Sequence, residues 1–138
     1  SKWKSKKKKW INDMDMYNEK DDFKNKFIKR LIKYSVDITF FTNEIRSTKI
    51  PWSISDQLIR SATSIGANVV EAKSSSSRKD YIKFFEIALK SANETKYWLI
   101  VIDECLKGSN DKIKQLYKEV DEISKILGSS ILTLKNKK

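Results

Sequence analysis

The chain has 138 residues, 39% of them hydrophobic and 15 of them aromatic, enough to fill one real core. It has three Gly, one Pro and no His, so turns are few and the commonest general base and metal ligand is missing. The net charge of +11, from 29 Lys and Arg against 18 Asp and Glu, is suited to polyanions rather than to basic partners.

Residues 1–20 carry seven Lys against three acids and show no sustained period. Lys2, Lys4, Lys6, Lys7, Lys8 and Lys9 are interleaved with Trp3 and Trp10. Four like charges in a row repel and disfavour compact structure, so this stretch reads as a basic tail. Nothing in it resembles the apolar core of a signal peptide.

A first helix is expected from about Asp21 to Arg46. Phe27, Leu31, Tyr34, Ile38, Phe41 and Ile45 recur at spacings of four and three, an amphipathic stripe. Pro51 breaks the pattern and biases Ile50 to an extended backbone. Ser53 is the expected cap of a second helix, with Asp56 three residues on. Leu58, Ala62, Ile65, Val69 and Ala72 form its seam. Gly66 costs about 1 kcal/mol in a helix interior, and close packing against a neighbour is the expected compensation.

The serine run 74–77 separates this from a third helix, capped by Ser77 and reaching about Lys107. That helix has two apolar stripes. One is Tyr81, Phe85, Ala88, Ala92, Leu99, Ile102 and Leu106; the other is Phe84, Ile87, Trp98, Val101 and Cys105. Two stripes imply burial on two sides, hence a central position or a subunit contact. Cys105 is expected to be a buried, inert thiol. It is the single cysteine, which excludes an internal disulfide and suggests a reducing compartment. Gly108 is the expected left-handed stop. A fourth helix follows from about Asn110, with Ile113, Leu116, Val120, Ile123, Leu127, Ile131 and Leu134 inward. The sequence ends in a short basic stretch, 136–138.

The expected fold is all-α: an antiparallel up-down-up-down four-helix bundle over 21–135, flanked by the two basic ends. No apolar run approaches the roughly 20 residues that span a bilayer, and a cytoplasmic location is expected. The chemistry-bearing patterns are missing. There is no phosphate-binding GxxxxGK[ST] and no GxGxxG. One Cys without His gives no zinc set, and no Glu-x-x-His pair exists for a bundle di-metal site. No enzyme activity, cofactor or metal is expected.

Two constellations remain. Gln57, Arg60, Asn68, Glu71, Asn93 and Glu94, with Trp98, lie on or near apolar seams. They read as a polar network fixing bundle register or subunit pairing, because buried polar groups must be satisfied. The second constellation is cationic. Beside the tail residues it includes Lys26, Lys29, Arg30 and Lys33 on the first helix and Arg78, Lys79 and Lys83 at the start of the third. Such cations neutralise phosphates and release counterions, and Trp stacks on unpaired bases. A merely solvated, Lys-rich surface is the plainer reading of the same residues.

The stretch Ile50–Leu99 carries a resemblance. Ile50-Pro51, Asp56 to Ala62, Ser64 to Asn68, Glu71-Ala72, Ser77 to Tyr81, Ile87 to Leu89, Asn93 to Leu99 and Glu122 to Leu127 are similar to four-helix-bundle proteins encoded in intervening sequences of bacterial large-subunit ribosomal RNA genes. The resemblance covers about 22–135 and leaves the basic tail outside. It implies a bundle assembling into a ring, typically a pentamer. It extends to the accessory variability protein of diversity-generating retroelements, which binds a reverse transcriptase and nucleic acid. The expectation is a non-enzymatic homo-oligomer that binds RNA or single-stranded nucleic acid, with a reverse transcriptase or another protein as partner. The alternatives are a scaffold that docks a protein without touching nucleic acid and, further off, a peripheral membrane protein.

Overall fold

A computed structural model describes residues 22–108 and 110–137. The tail expected at 1–20 lies outside the described residues, as does Lys138. Four helices account for nearly all the rest: α1 (Asp22–Glu44), α2 (Trp52–Lys73), α3 (Arg78–Cys105) and α4 (Asp111–Asn136). A short 3-10 turn, Ile45–Ser47, follows α1, and no strand occurs among the described residues. The protein is all-α, with its helices packed as a bundle.

The expected seams are the core. Phe27, Leu31, Tyr34, Ile38, Phe41 and Ile45 of the first stripe are all buried, as are Leu58, Ala62, Ile65, Val69 and Ala72 of α2. Ile113, Leu116, Val120, Ile123, Leu127 and Ile131 close the core from α4, while Leu134 stays half-exposed. Tyr34 is buried to 1% exposure and donates its hydroxyl to the Leu116 carbonyl at 2.8 Å. Burial pushes that phenol well above its ordinary range.

α2 packs most extensively against α3, and small residues explain why. Ser61, Ala62, Ala88, Ser91, Ala92 and Thr95 are all buried. Thr95 Oγ1 lies 3.0 Å from Ser61 Oγ and 2.8 Å from the Ser91 carbonyl. The Ser91 hydroxyl meets Ser64 Oγ at 3.0 Å, and Asn68 Nδ2 donates to the same Ser64 oxygen at 3.0 Å. This hydroxyl rail sets the register of the two helices: residue numbers rise on one as they fall on the other. Between α1 and α2, a Cβ on Gly66 would come 3.3 Å from Leu31 Cβ. The expected close approach at this glycine is therefore real.

α4 is tied to both its neighbours by charge. Lys96 of α3 reaches Asp121 at 3.0 Å and Ser124 Oγ at 2.8 Å. Hydrogen bonds from Lys96 and then Lys125 hold the Asp121 carboxyl below the usual carboxylate range. Arg30 of α1 donates from Nε and Nη2 to Glu119, at 2.7 and 2.6 Å, and from Nη2 to Glu122 at 2.6 Å.

The helix ends follow the expected chemistry at two points and depart from it at two. Ser77 caps α3 by accepting the Asp80 N–H at 3.1 Å, and Asn110 caps α4 by accepting the Ile113 N–H at 3.1 Å. The expected Ser53 cap is corrected: α2 begins at Trp52, and Pro51 occupies the capping position without a side-chain bond. Its fixed φ of −59° leads into the helix, and its carbonyl accepts from Ile54 N–H at 3.0 Å. At the end of α3 the left-handed stop is shared by Lys107 (φ 65°) and Gly108 (φ 70°). Gly108 N–H returns to the Asp103 carbonyl at 2.8 Å and Lys107 N–H to Glu104 at 3.1 Å. That pair of bonds is a Schellman motif with lysine, not glycine, at its first left-handed position.

Candidate nucleic-acid interface and assembly face

The two sequence constellations land in different places. Lys2, Trp3, Lys4, Lys6, Lys7, Lys8, Lys9 and Trp10 lie outside the described residues. Of the α1 cations, Lys26 is exposed and Lys29 half-buried. Lys33 pairs with Asp37 at 2.8 Å one turn on. Arg30 departs most from expectation, because Glu119 and Glu122 neutralise it from α4 and raise its pKa further. It is a strut between helices more than a phosphate contact. Arg78 donates to the Leu134 carbonyl and so closes the end of α4. Lys79 and Lys83 are exposed on the first turns of α3.

The polar residues expected on seams lie mostly outside them. Gln57, Arg60, Glu71, Asn93 and Glu94 are exposed, and Asn68 and Trp98 are half-buried. A register-fixing role within the chain is corrected for all but Asn68, which joins the hydroxyl rail through Ser64. Arg60 pairs with Asp56 on its own helix at 3.1 Å. The register-setting groups are instead Ser61, Ser64, Ser91 and Thr95. Their signal in the sequence was small hydroxyl residues recurring inside apolar stripes.

The rail does bring most of these residues to one face. With Ser61 opposite Thr95 and Ser64 opposite Ser91, Asn68 comes level with Ile87 and Gln57 with Trp98. This outer face of α2 and α3 carries the second apolar stripe, left partly open. Ile87 is 37% exposed, and Phe84, Trp98 and Val101 are half-buried. The Trp98 ring meets Tyr97 edge-on at 5.0 Å. Cys105, expected to be buried here, is exposed. Ten residues beyond Thr95, the register reaches the level of Pro51, where α2 has not yet begun.

A cavity of about 240 Å³ opens where four helix ends meet. Phe23, Lys24 and Phe27 come from the start of α1, and Val69 and Lys73 from the end of α2. Tyr81 and Phe85 come from the start of α3, and Ser129, Ser130, Thr133 and Leu134 from the end of α4. Lys24 sits over the Tyr81 ring at 4.8 Å, and Lys73 is held by the buried Asn25. Sequence reading missed this site because its residues are scattered over more than a hundred positions.

The decisive comparison is with protein families: residues 24–129 match the model of the 23S rRNA-intervening sequence protein family. The chain belongs to that family. Among solved structures it is similar to a protein of unknown function from the S23 ribosomal protein family of Bacteroides thetaiotaomicron. The two are 33% identical over 76% of this chain and 97% of that one, with a TM-score of 0.71. A comparison with the curated proteins finds no match. The family match begins two residues after the start of α1, so the basic stretch 1–20 of this chain falls outside it. No group of acidic, Cys or His side chains able to hold a metal occurs among the described residues, and no described helix is long and apolar enough to cross a membrane.

Proposed function

We propose that this protein is a non-enzymatic bundle that binds RNA or single-stranded nucleic acid at one end. The carrying observation is the cavity just described, whose lining joins the starts of α1 and α3 to the ends of α2 and α4. Those four ends, 22–27, 69–73, 78–86 and 129–137, hold eight cations (Lys24, Lys26, Lys73, Arg78, Lys79, Lys83, Lys135, Lys137) against four carboxylates (Asp22, Glu71, Asp80, Glu86). The net is +4. The opposite ends, 38–60, 97–107 and 110–118, hold seven cations against five carboxylates, net +2. The cross-helix pairs Lys135–Glu86 and Arg78–Leu134 support an up-down-up-down order, in which α1 begins at this same basic pole. Binding of this kind is backbone-directed and salt-sensitive.

Electrophoretic shifts of a single-stranded oligonucleotide at two salt concentrations test the reading. Binding at low salt that weakens steeply at higher salt is expected, and it should fall sharply when residues 1–20 are deleted. No binding at low salt, or affinity indifferent to salt, contradicts it.

A second reading is favoured by the open apolar stripe of α3. There the protein is an oligomeric scaffold, and ring assembly serves to dock another protein. The two readings are compatible if assembly multiplies the basic poles. Kinship with retroelement accessory proteins belongs to the same proposal, and an adjacent reverse-transcriptase gene would support it.

A further inference from the structure

The cavity at the basic pole has a chemistry of its own. Its floor is apolar: Phe27 and Phe85 are buried to 6% and 5% exposure, with Val69 beside them. Two stacked ring pairs line it, Phe23–Phe27 at 6.4 Å between centroids and Tyr81–Phe85 at 4.8 Å. Phe23 is 68% exposed, so its ring is largely open to solvent at the cavity. Two ammonium groups, Lys24 and Lys73, stand on one side. On the other, the hydroxyls of Ser129, Ser130 and Thr133 line α4.

Aromatic faces, cations and hydroxyls within one concave site fit a ligand that is flat and apolar at one end and anionic at the other. Fatty acids would use the cations but not the ring faces. A simple phosphate would use neither the rings nor the depth. We infer that this cavity receives one unpaired nucleotide of the bound strand, its base against the exposed Phe23 ring, beside the Tyr81–Phe85 stack, and its phosphate toward Lys24 and Lys73. The inference rests on the nucleic-acid reading above and adds to it a preference for unpaired over paired strands. Every base has a face to stack, so the preference is independent of sequence. A duplex, whose bases are already stacked, meets only the outer cations of the pole.

Fluorescence anisotropy with the full chain tests this, using a labelled ten-nucleotide oligothymidylate and a ten-base-pair duplex as probes. The single strand should bind more tightly than the duplex. Phe23→Ala should weaken the single strand about tenfold, in the range of one lost base-aromatic stack, and leave the duplex within about twofold. Tyr81→Leu, which keeps an apolar side chain at the cavity, should act in the same direction. Phe40→Ala is the control, a comparably exposed phenylalanine near the other end of α1. Circular dichroism melts establish that each variant is folded. Should the wild type bind both probes while Phe23→Ala and Tyr81→Leu leave the strand preference intact, the cavity assignment is overturned and the basic-pole reading survives. Should the wild type bind neither probe, the basic-pole reading itself fails.

Discussion

Gly66 and Gly128 both sit inside long helices, yet their surroundings give opposite predictions for the same substitution. A methyl group at Gly128 meets nothing within 4 Å. Gly128→Ala should therefore raise stability by the helix-propensity difference, about 1 kcal/mol. At Gly66 the same methyl would press on Leu31 Cβ at 3.3 Å, against a buried side chain anchored next to the backbone of α1. Overpacking of a core contact costs about 1–3 kcal/mol, which exceeds the propensity gain, so Gly66→Ala should lower stability. Urea melts of the two variants check this; stabilisation by both would mean that α1 and α2 can separate freely. Gly66 was legible in the sequence because small residues surround it. Lys107 was not, since no local pattern announces a lysine at φ 65°. The geometry is imposed by the two returning backbone bonds at the end of α3.

At the scale of a helix, α3 is the informative element. Phe85, Ala88, Ala92, Leu99 and Ile102 of its first stripe are core, as their period indicates, while Tyr81 and Leu106 at the two ends are half-buried, and its second stripe is neither core nor ordinary surface. The four apolar residues Phe84, Ile87, Trp98 and Val101 retain partial exposure along one side, beside Gln57 and Asn68 of α2. A face of this kind is the natural place for a second copy to settle. Light scattering of the full chain should then give a multiple of the 16.2 kDa chain mass, and Ile87→Glu should return it to a single chain without loss of helicity. A wild-type mass of one chain would contradict assembly through α3. The seams of all four helices could be read from spacing alone, because burial follows the 3.6-residue period. The polar residues could not. Spacing placed Gln57, Glu71 and Asn93 close to seams but could not tell a flank from an interior. The packing of α2 on α3 decided that, and only Asn68 joins the hydroxyl rail, through Ser64 of its own helix.

For the whole molecule the charge is unevenly distributed. The sequence shows basic ends and a mildly basic body, but not that cations from four separated stretches share a pole. That follows from the bundle, which brings together helix ends that are 50 residues apart in the chain. The same packing removes Arg30 from the interface, by placing Glu119 and Glu122 beside it, and brings Lys73 to the pole. The central claim is thus positional: nucleic acid is held by one end of the bundle. The most direct measurement is the salt dependence of single-strand affinity in two neutralised variants of the full chain. One is Lys79→Gln, Lys83→Gln and Lys137→Gln at the basic pole; the other is Lys112→Gln, Lys114→Gln and Lys118→Gln at the far end. Each phosphate contact on a single strand contributes about 0.7 to the slope of log affinity against log salt. The pole variant should bind more weakly and lose about 2 from that slope, while the far-end variant stays close to wild type. Equal losses in the two, or a loss confined to the far end, would contradict the account.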